Sequence, residues 1–324
     1  MVTERATCRA VIVGRAEAVA YSRRIREATA TGGTTSGGLT DSAVVNTERE
    51  VAMRVEEHEA AAWIHCATAA SSLPGNPLKV VIDRSGPTPR FAMCAVDRWD
   101  LNRVVALGMP TDARPEDIDA ICSFYRMHGQ QHFRIEVTPF ARPSNLAASI
   151  AARGLKREAP RTFKLWRPAS SPDVPRQDVD VRRLGPADSD AIAALNIVAW
   201  GAWNTPILRA WFRATVGRAG VQHYGVFDGD RLVATGALFV SDGVGWVGFD
   251  ATHPRYQARA LRQAISAVRL RDAEVQGCDI VHAESAIVPR PRAYRDGWRL
   301  LYEKHNYDSM PHDNELAPFE TEVT

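Results

Sequence analysis

The sequence predicts two tandem α/β domains, in which helices and strands alternate along each half of the chain. Three observations predict this fold class. The chain has 324 residues, which is enough for two domains that each bury a core. Each half reads helix, three strands, helix, strand, helix and strand, so the order of elements nearly repeats. Between the halves, residues 168–175 (PASSPDVP) carry three prolines and predict a linker.

The predicted boundaries divide the chain into four segments. Residues 1–45 include the Gly-, Ser- and Thr-rich run at 28–42, which cannot fill a core and predicts a flexible N-terminal segment. A first domain is predicted at 46–167, the linker at 168–177 and a second domain at 178–324.

Hydrophobic periodicity predicts the elements of the first half. A helix is predicted at 47–70, where Val51, Val55 and Ala62 recur at helical spacing before Pro74. Apolar runs predict the strands, and prolines, acidic first turns and closing glycines mark the later helices. The predicted elements are strands at 78–82, 90–96 and 103–107, a helix at 115–127, a strand at 132–137, a helix at 143–153 and a strand at 162–166.

The same signals predict the elements of the second half. Asp188 and Asp190 mark the opening turns of one helix, and Gly277 marks the end of another. The predicted elements are a strand at 179–184, helices at 186–200 and 206–216, strands at 223–227, 232–240 and 244–251, a helix at 258–275, a strand at 279–285, a helix at 293–305 and a last strand starting near Tyr307.

Composition excludes several classes of function. Apolar residues make up 45% and charged residues 24% of the chain, and the net charge of +2 argues against a general nucleic-acid binder. The five cysteines are scattered without CxxC or zinc-ligand spacing, so we expect buried thiols and no metal site. No apolar run approaches the ~20 residues that span a bilayer. The N-terminus lacks a signal-peptide pattern, so we expect a cytoplasmic protein.

The stretch from Phe249 to Val268 carries the main functional signal. It reads strand, short turn and helix, with Leu261 and Ile265 on one helical face. A helix N-terminus exposes unpaired backbone N–H groups and a partial positive charge, so a pyrophosphate is a natural partner for such a turn. The alternative is an amphipathic helix whose arginines are solvated.

This stretch resembles the GNAT superfamily of acetyl-CoA-dependent N-acetyltransferases, whose signature places V/T-x-P at a strand end and Q/R-x-x-G-x-G/A at a helix start. Thr252-His253-Pro254 matches the first part, and Gln257 opens the second. Ala260 stands where the family has Gly, and Arg262 where it has Gly or Ala, so the loop is a modified one.

The resemblance implies acetyl-CoA or another acyl-CoA as co-substrate. It also implies two tandem GNAT-like domains, each a central, mostly antiparallel sheet flanked by helices. The strand before the turn would pair with the pantetheine arm, and the turn itself would hold the pyrophosphate. The residues that it implies for binding are Phe249, Ala251, Thr252, Gln257, Ala258, Arg259, Ala260, Leu261 and Arg262.

A second match lies near the C-terminus. The run LYEKHNY at 301–307 resembles the family's L-Y-E-K-x-G-F segment on its last helix. By resemblance, Tyr302 is the candidate general acid that protonates the departing CoA thiolate. A phenol with a pKa of about 10 stays protonated at neutral pH and can donate to a thiolate. The alternative is a tyrosine ring that only packs against the sheet.

The first half lacks both features. Its corresponding helix opens with Pro115-Glu116-Asp117, and these carboxylates complement the helix dipole themselves and would repel a pyrophosphate. Ile150 stands where the second half has Tyr302. We therefore expect a degenerate GNAT-like domain in the first half and the acyl-CoA-binding domain in the second.

The acceptor side offers weaker signals. Asp250 and Glu284 lie on strands beside the predicted turn and are the candidate bases for an amine. A cap for Asp250, and an exposed strand end or an ion pair for Glu284, are the alternatives. Trp203 and Asn204 are the candidate substrate-binding residues, because an aromatic side chain there can line a pocket.

Together these observations predict an acyl-CoA-dependent N-acyltransferase, by resemblance acetyl-CoA-dependent, that transfers directly to a small-molecule amine. Two alternatives stay open: a non-catalytic GNAT-fold sensor or scaffold, and a repurposed fold with different thioester chemistry such as decarboxylation. We expect no nucleic-acid or membrane partner. The sequence leaves open the acceptor, the acyl group and whether the chain forms a homo-oligomer.

Overall fold

The helices alternate with strands as predicted. The computed structural model describes residues 41–99, 101–170, 179–200, 205–218, 220–286, 289, 293–294 and 296–310, so most of the predicted flexible segment and linker lies outside the described residues. The α-helices are α1 (Asp41–Ser71), α2 (Pro115–Met127), α3 (Leu146–Ala151), α4 (Ser189–Trp200), α5 (Thr205–Thr215) and α6 (Leu261–Val275). None of these helices is both long and apolar enough to cross a membrane.

The strands form one small and one large sheet. They are β1 (Val80–Asp83), β2 (Arg90–Met93), β3 (Arg103–Val104), β4 (Arg134–Val137), β5 (Lys156–Pro168), β6 (Arg182–Leu184), β7 (Val221–Asp228), β8 (Arg231–Ser241), β9 (Val244–Thr252), β10 (Ile280–Ser285) and β11 (Arg299–Asp308). β1 and β2 pair with each other, and the other strands lie in the order β3-β4-β11-β5-β10-β9-β8-β7-β6. Only β3–β4 and β9–β10 are parallel among the described pairs, which confirms a mixed, mostly antiparallel sheet flanked by helices.

The last strands of the two halves are exchanged. β5 ends the first half in sequence, but it lies between β10 and β11 of the second half. β11 ends the second half, but it lies between β4 and β5 of the first. Each half keeps one parallel pair, and each pair is bordered by the final strand of the other half. One sheet therefore runs through both halves of a tandem arrangement.

The predicted helix at 293–305 is wrong over most of its length, because Arg299–Asp308 forms β11. The buried side chains alternate along this strand at Tyr302, Lys304 and Asn306, and the residues between them are partly exposed. Because polar groups fill the buried positions, the strand does not show as an alternation of apolar and polar residues. Tyr302 therefore lies on a strand and not on a helix.

Helices bury apolar side chains on both faces of the large sheet. On one face, Trp63 of α1 and Trp211 of α5 pack in one core with Trp246 of β9. On the other face, Ile265 of α6 packs in a second core with Val281 of β10. Side chains of a strand alternate between faces, so each strand in the middle of the sheet presents residues to α1 and to α6 in turn.

Candidate functional site

β9 and β10 diverge after a short parallel run. Their pairing ends at Val247 opposite Ala283, after which β9 continues against β8, and β10 against β5. Phe249 has a φ of 52°, and the register of β9 against β8 shifts here, as in a β-bulge. A gap bordered by two strand edges therefore opens beside the residues predicted to bind the pantetheine arm.

The predicted phosphate-binding turn lies directly after β9. Pro254–Arg259 forms a 3-10 turn, Ala260 follows with φ 54° and ψ 18°, and α6 begins at Leu261. The Ala260 carbonyl accepts hydrogen bonds from the backbone N–H groups of Gln263 (3.0 Å) and Ala264 (3.2 Å). The amides that precede these two, of Leu261 and Arg262, have no acceptor within the helix, and α6 has no acidic residue in its first turn.

Ala260 adopts a left-handed backbone conformation, which glycine adopts without steric cost. The signature that the turn resembles has glycine at this position, and the methyl group of Ala260 costs roughly 1–2 kcal/mol there. Arg262 and Gln257 have exposed side chains, whereas the side chains of Ala258 and Arg259 lie outside the described residues. The residues present therefore fit a pyrophosphate group at this turn.

In the first half, backbone groups near the start of α2 are hydrogen-bonded within the chain. The Arg142 N–H donates to the Gly108 carbonyl at 2.8 Å, and the Arg142 carbonyl accepts from Ala113 N–H at 2.9 Å. At the start of α2, Asp117 Oδ2 accepts a hydrogen bond from the backbone N–H of Arg114 at 2.8 Å. The backbone N–H groups of Ala113 and Arg114, which precede α2, therefore both have acceptors within the chain.

Tyr302 is buried, with 5% of its surface exposed, and its hydroxyl donates a hydrogen bond to Glu56 Oε1 at 2.6 Å. Its ring meets Phe140 edge-on, with 5.8 Å between the ring centroids. Burial and the negative charge of Glu56 raise the pKa of Tyr302 well above its usual value. The hydroxyl therefore keeps its proton at neutral pH.

Tyr302 borders a group of charged side chains that we call the buried ion cluster. Its members are Glu56, Glu59, Arg103, Glu136, Lys164, Glu284 and Lys304. Lys304 Nζ lies 2.6 Å from Glu59, 2.9 Å from Glu136, 3.0 Å from Glu56 and 3.2 Å from Glu284. The Glu284 side chain is 18% exposed, so this carboxylate connects the cluster to the surface.

The charges of the cluster shift pKa values in opposite directions. Burial would raise the pKa of Glu284, but the charges of Lys164 and Lys304 outweigh it and hold this pKa well below its usual range. Burial and the charge of Glu284 raise the pKa of Glu59 to about 7. Glu59 is therefore the carboxyl group that gains and loses a proton near neutral pH.

Three carboxylates of the cluster come close enough to hold a metal ion, but a lysine fills the position. Oxygens of Glu59, Glu136 and Glu284 lie within 4.8 Å of one another. The ammonium group of Lys304 already lies 2.6, 2.9 and 3.2 Å from oxygens of these three residues. We therefore assign no metal to the cluster.

The two predicted bases lie on opposite faces of the sheet. Glu284 faces α1 together with His282, whose Nε2 lies 2.9 Å from Nδ1 of the buried His58. Asp250 faces α6, where its Oδ1 lies 2.7 Å from Arg269 Nη1. Each carboxylate has an ion-pair partner, and only one of them faces the same side as Tyr302.

The predicted substrate-binding residues, Trp203 and Asn204, lie outside the described residues. Just before them, Trp200 Nε1 donates to the Asp250 carbonyl at 3.0 Å, which fixes the end of α4 to β9. Two open surface grooves lie away from the turn at Ala260, one beside Pro74 and one beside His65. Neither groove is lined by a residue of that turn or of β9.

Sequence reasoning missed the partners of the predicted site residues. Glu56 and Glu59 are three residues apart and share the face of α1 that also buries Val55 and Ala52. Acidic residues on the apolar face of a helix are a usable signal of buried ion pairs. Lys164, which stands between two apolar residues of β5, is the same kind of signal.

No family model matches the chain, and no curated protein matches it. Solved structures do match it. A GCN5-related N-acetyltransferase from Kribbella flavida covers 78% of this chain and 98% of its own, with a TM-score of 0.55 and 18% identity. A tandem GNAT protein from the clavulanic acid biosynthesis pathway, without AcCoA, covers 76% of this chain and 89% of its own, with a TM-score of 0.53 and 17% identity.

A functionally unknown conserved protein from Staphylococcus epidermidis ATCC 12228 covers 71% of this chain and 94% of its own, with a TM-score of 0.50 and 10% identity. Each match covers more of the chain than either predicted domain contains, so the likeness extends over both halves. At these identities the likeness establishes the fold and leaves the activity to be argued from the site.

Proposed function

We propose that this chain, which has the GNAT fold in a tandem arrangement, is an acyl-CoA-dependent N-acyltransferase that acts on a small-molecule amine. One observation supports this most. The turn at Ala260 follows the diverging strand β9, starts α6 with a left-handed residue and has no carboxylate in its first turn. Such a helix start suits a pyrophosphate, and acetyl-CoA is the first donor to test.

Different residues of the second half bind the pyrophosphate and the pantetheine arm of the acyl-CoA. Backbone amides at the start of α6 hold the pyrophosphate, and the exposed Arg262 adds positive charge. The edge of β9 at Phe249, Ala251 and Thr252 pairs with the pantetheine arm, as a strand edge pairs with an extended partner. The thioester of a bound acyl-CoA supplies an activated acyl group for transfer to the amine nitrogen.

Glu284 is the better candidate base, because it faces the Tyr302 side of the sheet and is partly exposed. Lys164 and Lys304 hold its pKa low, so it stays ionised and accepts a hydrogen bond from the neutral amine. The proton that the nitrogen loses on attack passes to solvent water at this partly exposed side chain. Tyr302 holds a proton at its hydroxyl and is the candidate acid for the thiolate, provided that the hydroxyl turns away from Glu56.

The proposal is tested by a binding titration and a product assay on the full chain. Calorimetry with acetyl-CoA should give one binding event per chain. Incubation with acetyl-CoA and a panel of small amines should give an acetylated amine and free CoA by mass spectrometry. Lack of binding, or a nucleotide bound in the first half in a soaked crystal, would overturn the proposal.

A second candidate function is a non-catalytic acyl-CoA-binding sensor or scaffold. The contact between Tyr302 and Glu56 favours it, because a buried hydroxyl with a raised pKa is a weak proton donor. This candidate predicts acetyl-CoA binding without an acetylated product in the same two experiments. Different thioester chemistry would instead change the acyl-CoA when no amine is present.

A further inference from the structure

Arg269 of α6 carries a buried guanidinium group that is directed at β9. Arg269 is 1% exposed, and its Nη1 lies 2.7 Å from Asp250 Oδ1. The same nitrogen donates to the carbonyls of Ala237 at 3.0 Å and Gly248 at 3.3 Å. A buried guanidinium is costly unless such partners satisfy it. These partners all lie where β9 leaves regular pairing with β8.

The contact coincides with the bulge of β9. The register against β8 shifts between Gly248 and Ala251, so Phe249 and Asp250 together stand opposite Gly236. A bulge interrupts the ladder of backbone hydrogen bonds and bends the bulged strand. Phe249 also holds a left-handed backbone conformation with φ 52°, which a bulky residue adopts only when its surroundings enforce it.

Gly236 leaves the space that this contact needs. A Cβ atom on Gly236 would lie 2.4 Å from Asp250 Oδ1 and 2.7 Å from Arg269 Nη1. A side chain at this position and the ion pair therefore exclude each other. The glycine, the arginine and the bulge make up one arrangement, in which the carboxylate and two strand carbonyls point at a single guanidinium group.

We propose that Arg269 is a positioning residue that holds the bulge of β9 in the shape that the pantetheine arm of an acyl-CoA requires. This inference rests on the proposed function, which supplies the ligand. α6 has the phosphate-binding turn at its N-terminus and Arg269 farther along, so one helix fixes both the pyrophosphate site and the edge of β9. Loss of the guanidinium releases that edge and leaves the turn at Ala260 in place.

The test compares two ligands, CoA and ADP, on the full chain. Both carry a pyrophosphate, and only CoA carries the arm that β9 would hold. In Arg269→Gln we expect the Kd for CoA to rise about tenfold or more, since hydrogen bonds from a charged group are lost. The Kd for ADP should change by less than about twofold, because the helix start is unaltered.

Arg183→Gln is the matched control. Arg183 lies on β6, and its Nη2 is 2.8 Å from Asp272 of α6, the helix that also carries Arg269. The Arg183 side chain is 63% exposed and does not touch the bulge. It should leave both dissociation constants unchanged. Equal weakening of CoA and ADP in Arg269→Gln would identify a general loss of structure and overturn the inference, as would unchanged CoA binding.

Asp250→Asn keeps the test decisive if Arg269→Gln does not fold. This variant removes the charge of the pair from the other side, and it should also raise the Kd for CoA more than that for ADP. An unaltered chain that binds neither ligand would overturn the proposed function and, with it, the role of Arg269. If the unaltered chain binds CoA, and both variants bind it with the same Kd, only the role of Arg269 is overturned.

Discussion

Lys304 Nζ lies 2.9 Å from Glu136 Oε2, although the two residues belong to different halves of the chain. The reverse pair also exists: Lys164 of the first half has its Nζ 2.9 Å from Oε1 of Glu284 of the second half. Each lysine lies on the exchanged last strand of one half, and each glutamate on a strand of the other half that pairs with it. Glu59 joins both lysines, at 2.6 and 2.7 Å. The buried ion cluster therefore holds the exchanged strands together.

Replacing Lys304 should test how strongly the cluster stabilises the fold. Lys304→Met leaves buried carboxylates without their cation, so we expect the free energy of unfolding in urea to fall by about 3–5 kcal/mol. The control is Arg182→Met, because the pair between Arg182 and Asp180 has side chains that are 59% and 74% exposed. An exposed pair contributes less than about 1 kcal/mol. Similar small losses in both variants would contradict this role for Lys304.

Charge at the start of α6 should control acyl-CoA binding. Arg262→Glu places a carboxylate in the first turn, where it opposes a bound pyrophosphate, so the Kd for CoA should rise about tenfold or more. The control is Glu116→Lys, which makes the opposite change in the first turn of α2. It should leave CoA binding unchanged. If Glu116→Lys altered the calorimetric Kd as strongly as Arg262→Glu, the first half would hold the nucleotide.

Glycine at position 260 should improve both the fold and the site. Ala260 has φ 54°, and Ala260→Gly removes a steric cost, so the free energy of unfolding should rise by about 1 kcal/mol. Glycine also allows a phosphate to approach the backbone closely, so the Kd for CoA should fall. Asp242→Gly is the control, because Asp242 has φ 49° in the exposed hairpin between β8 and β9. Asp242→Gly should change the Kd for CoA by less than the error of the titration. If it lowered this Kd as much as Ala260→Gly does, the assignment of the phosphate site to the turn at Ala260 would be contradicted.

Local signals in the sequence predict most of the elements, and they do not predict how the strands pair. α2 has its predicted bounds, Pro115–Met127, because a proline and an acidic first turn mark its start. The exchange of β5 and β11 leaves no such mark, since any two apolar strands can pair. The predicted helix at 293–305 failed for a related reason, because the buried face of β11 carries Lys304 and Asn306 and is not apolar.

The candidate site divides in the same way. A short run of residues predicts the turn and the helix after it, but it does not predict the left-handed conformation of Ala260, because the pattern places this residue inside the helix at 258–275. The partner of Tyr302 could not be predicted, because Glu56 is 246 residues away along the chain. Burial of a charged network is decided by which elements pack together, and a local pattern contains no information on that.

Tyr302→Phe should separate the acid from a packing role. If Tyr302 protonates the thiolate, kcat should fall about a hundredfold, and the Kd for CoA should stay the same, because the hydroxyl acts only in the reaction. Tyr307→Phe is the control, since Tyr307 is 6% exposed on the same strand. It should leave kcat unchanged. If kcat is unchanged in Tyr302→Phe and the free energy of unfolding is lower, the hydroxyl has no part in the reaction and only stabilises the fold through its hydrogen bond to Glu56.

Glu59 should give the fold a pH dependence of known sign. Its pKa is raised to about 7 by burial and by Glu284, above the ~4.3 of an exposed glutamate. The folded state therefore holds a proton that the unfolded state releases, so this contribution to stability is full below pH ~4.3 and is lost as the pH rises through 7. His58 acts in the opposite sense, because burial lowers its pKa to about 3. Its contribution grows as the pH rises toward the ~6.5 of an exposed histidine.

The contribution of Glu59 is isolated by subtracting the free energy of unfolding of Glu59→Gln from that of the unaltered chain. The histidines contribute equally to both values, so their contribution cancels. Both chains are unfolded with urea at constant ionic strength, from pH 5 to pH 8. We expect the free energy of unfolding of the unaltered chain, relative to that of Glu59→Gln, to fall by about 2–3 kcal/mol over this range. The pKa of about 7 lies two pH units above pH 5, and each unit corresponds to about 1.4 kcal/mol. A difference that stays constant would mean that Glu59 is ionised throughout, and that the lysines of the cluster outweigh its burial.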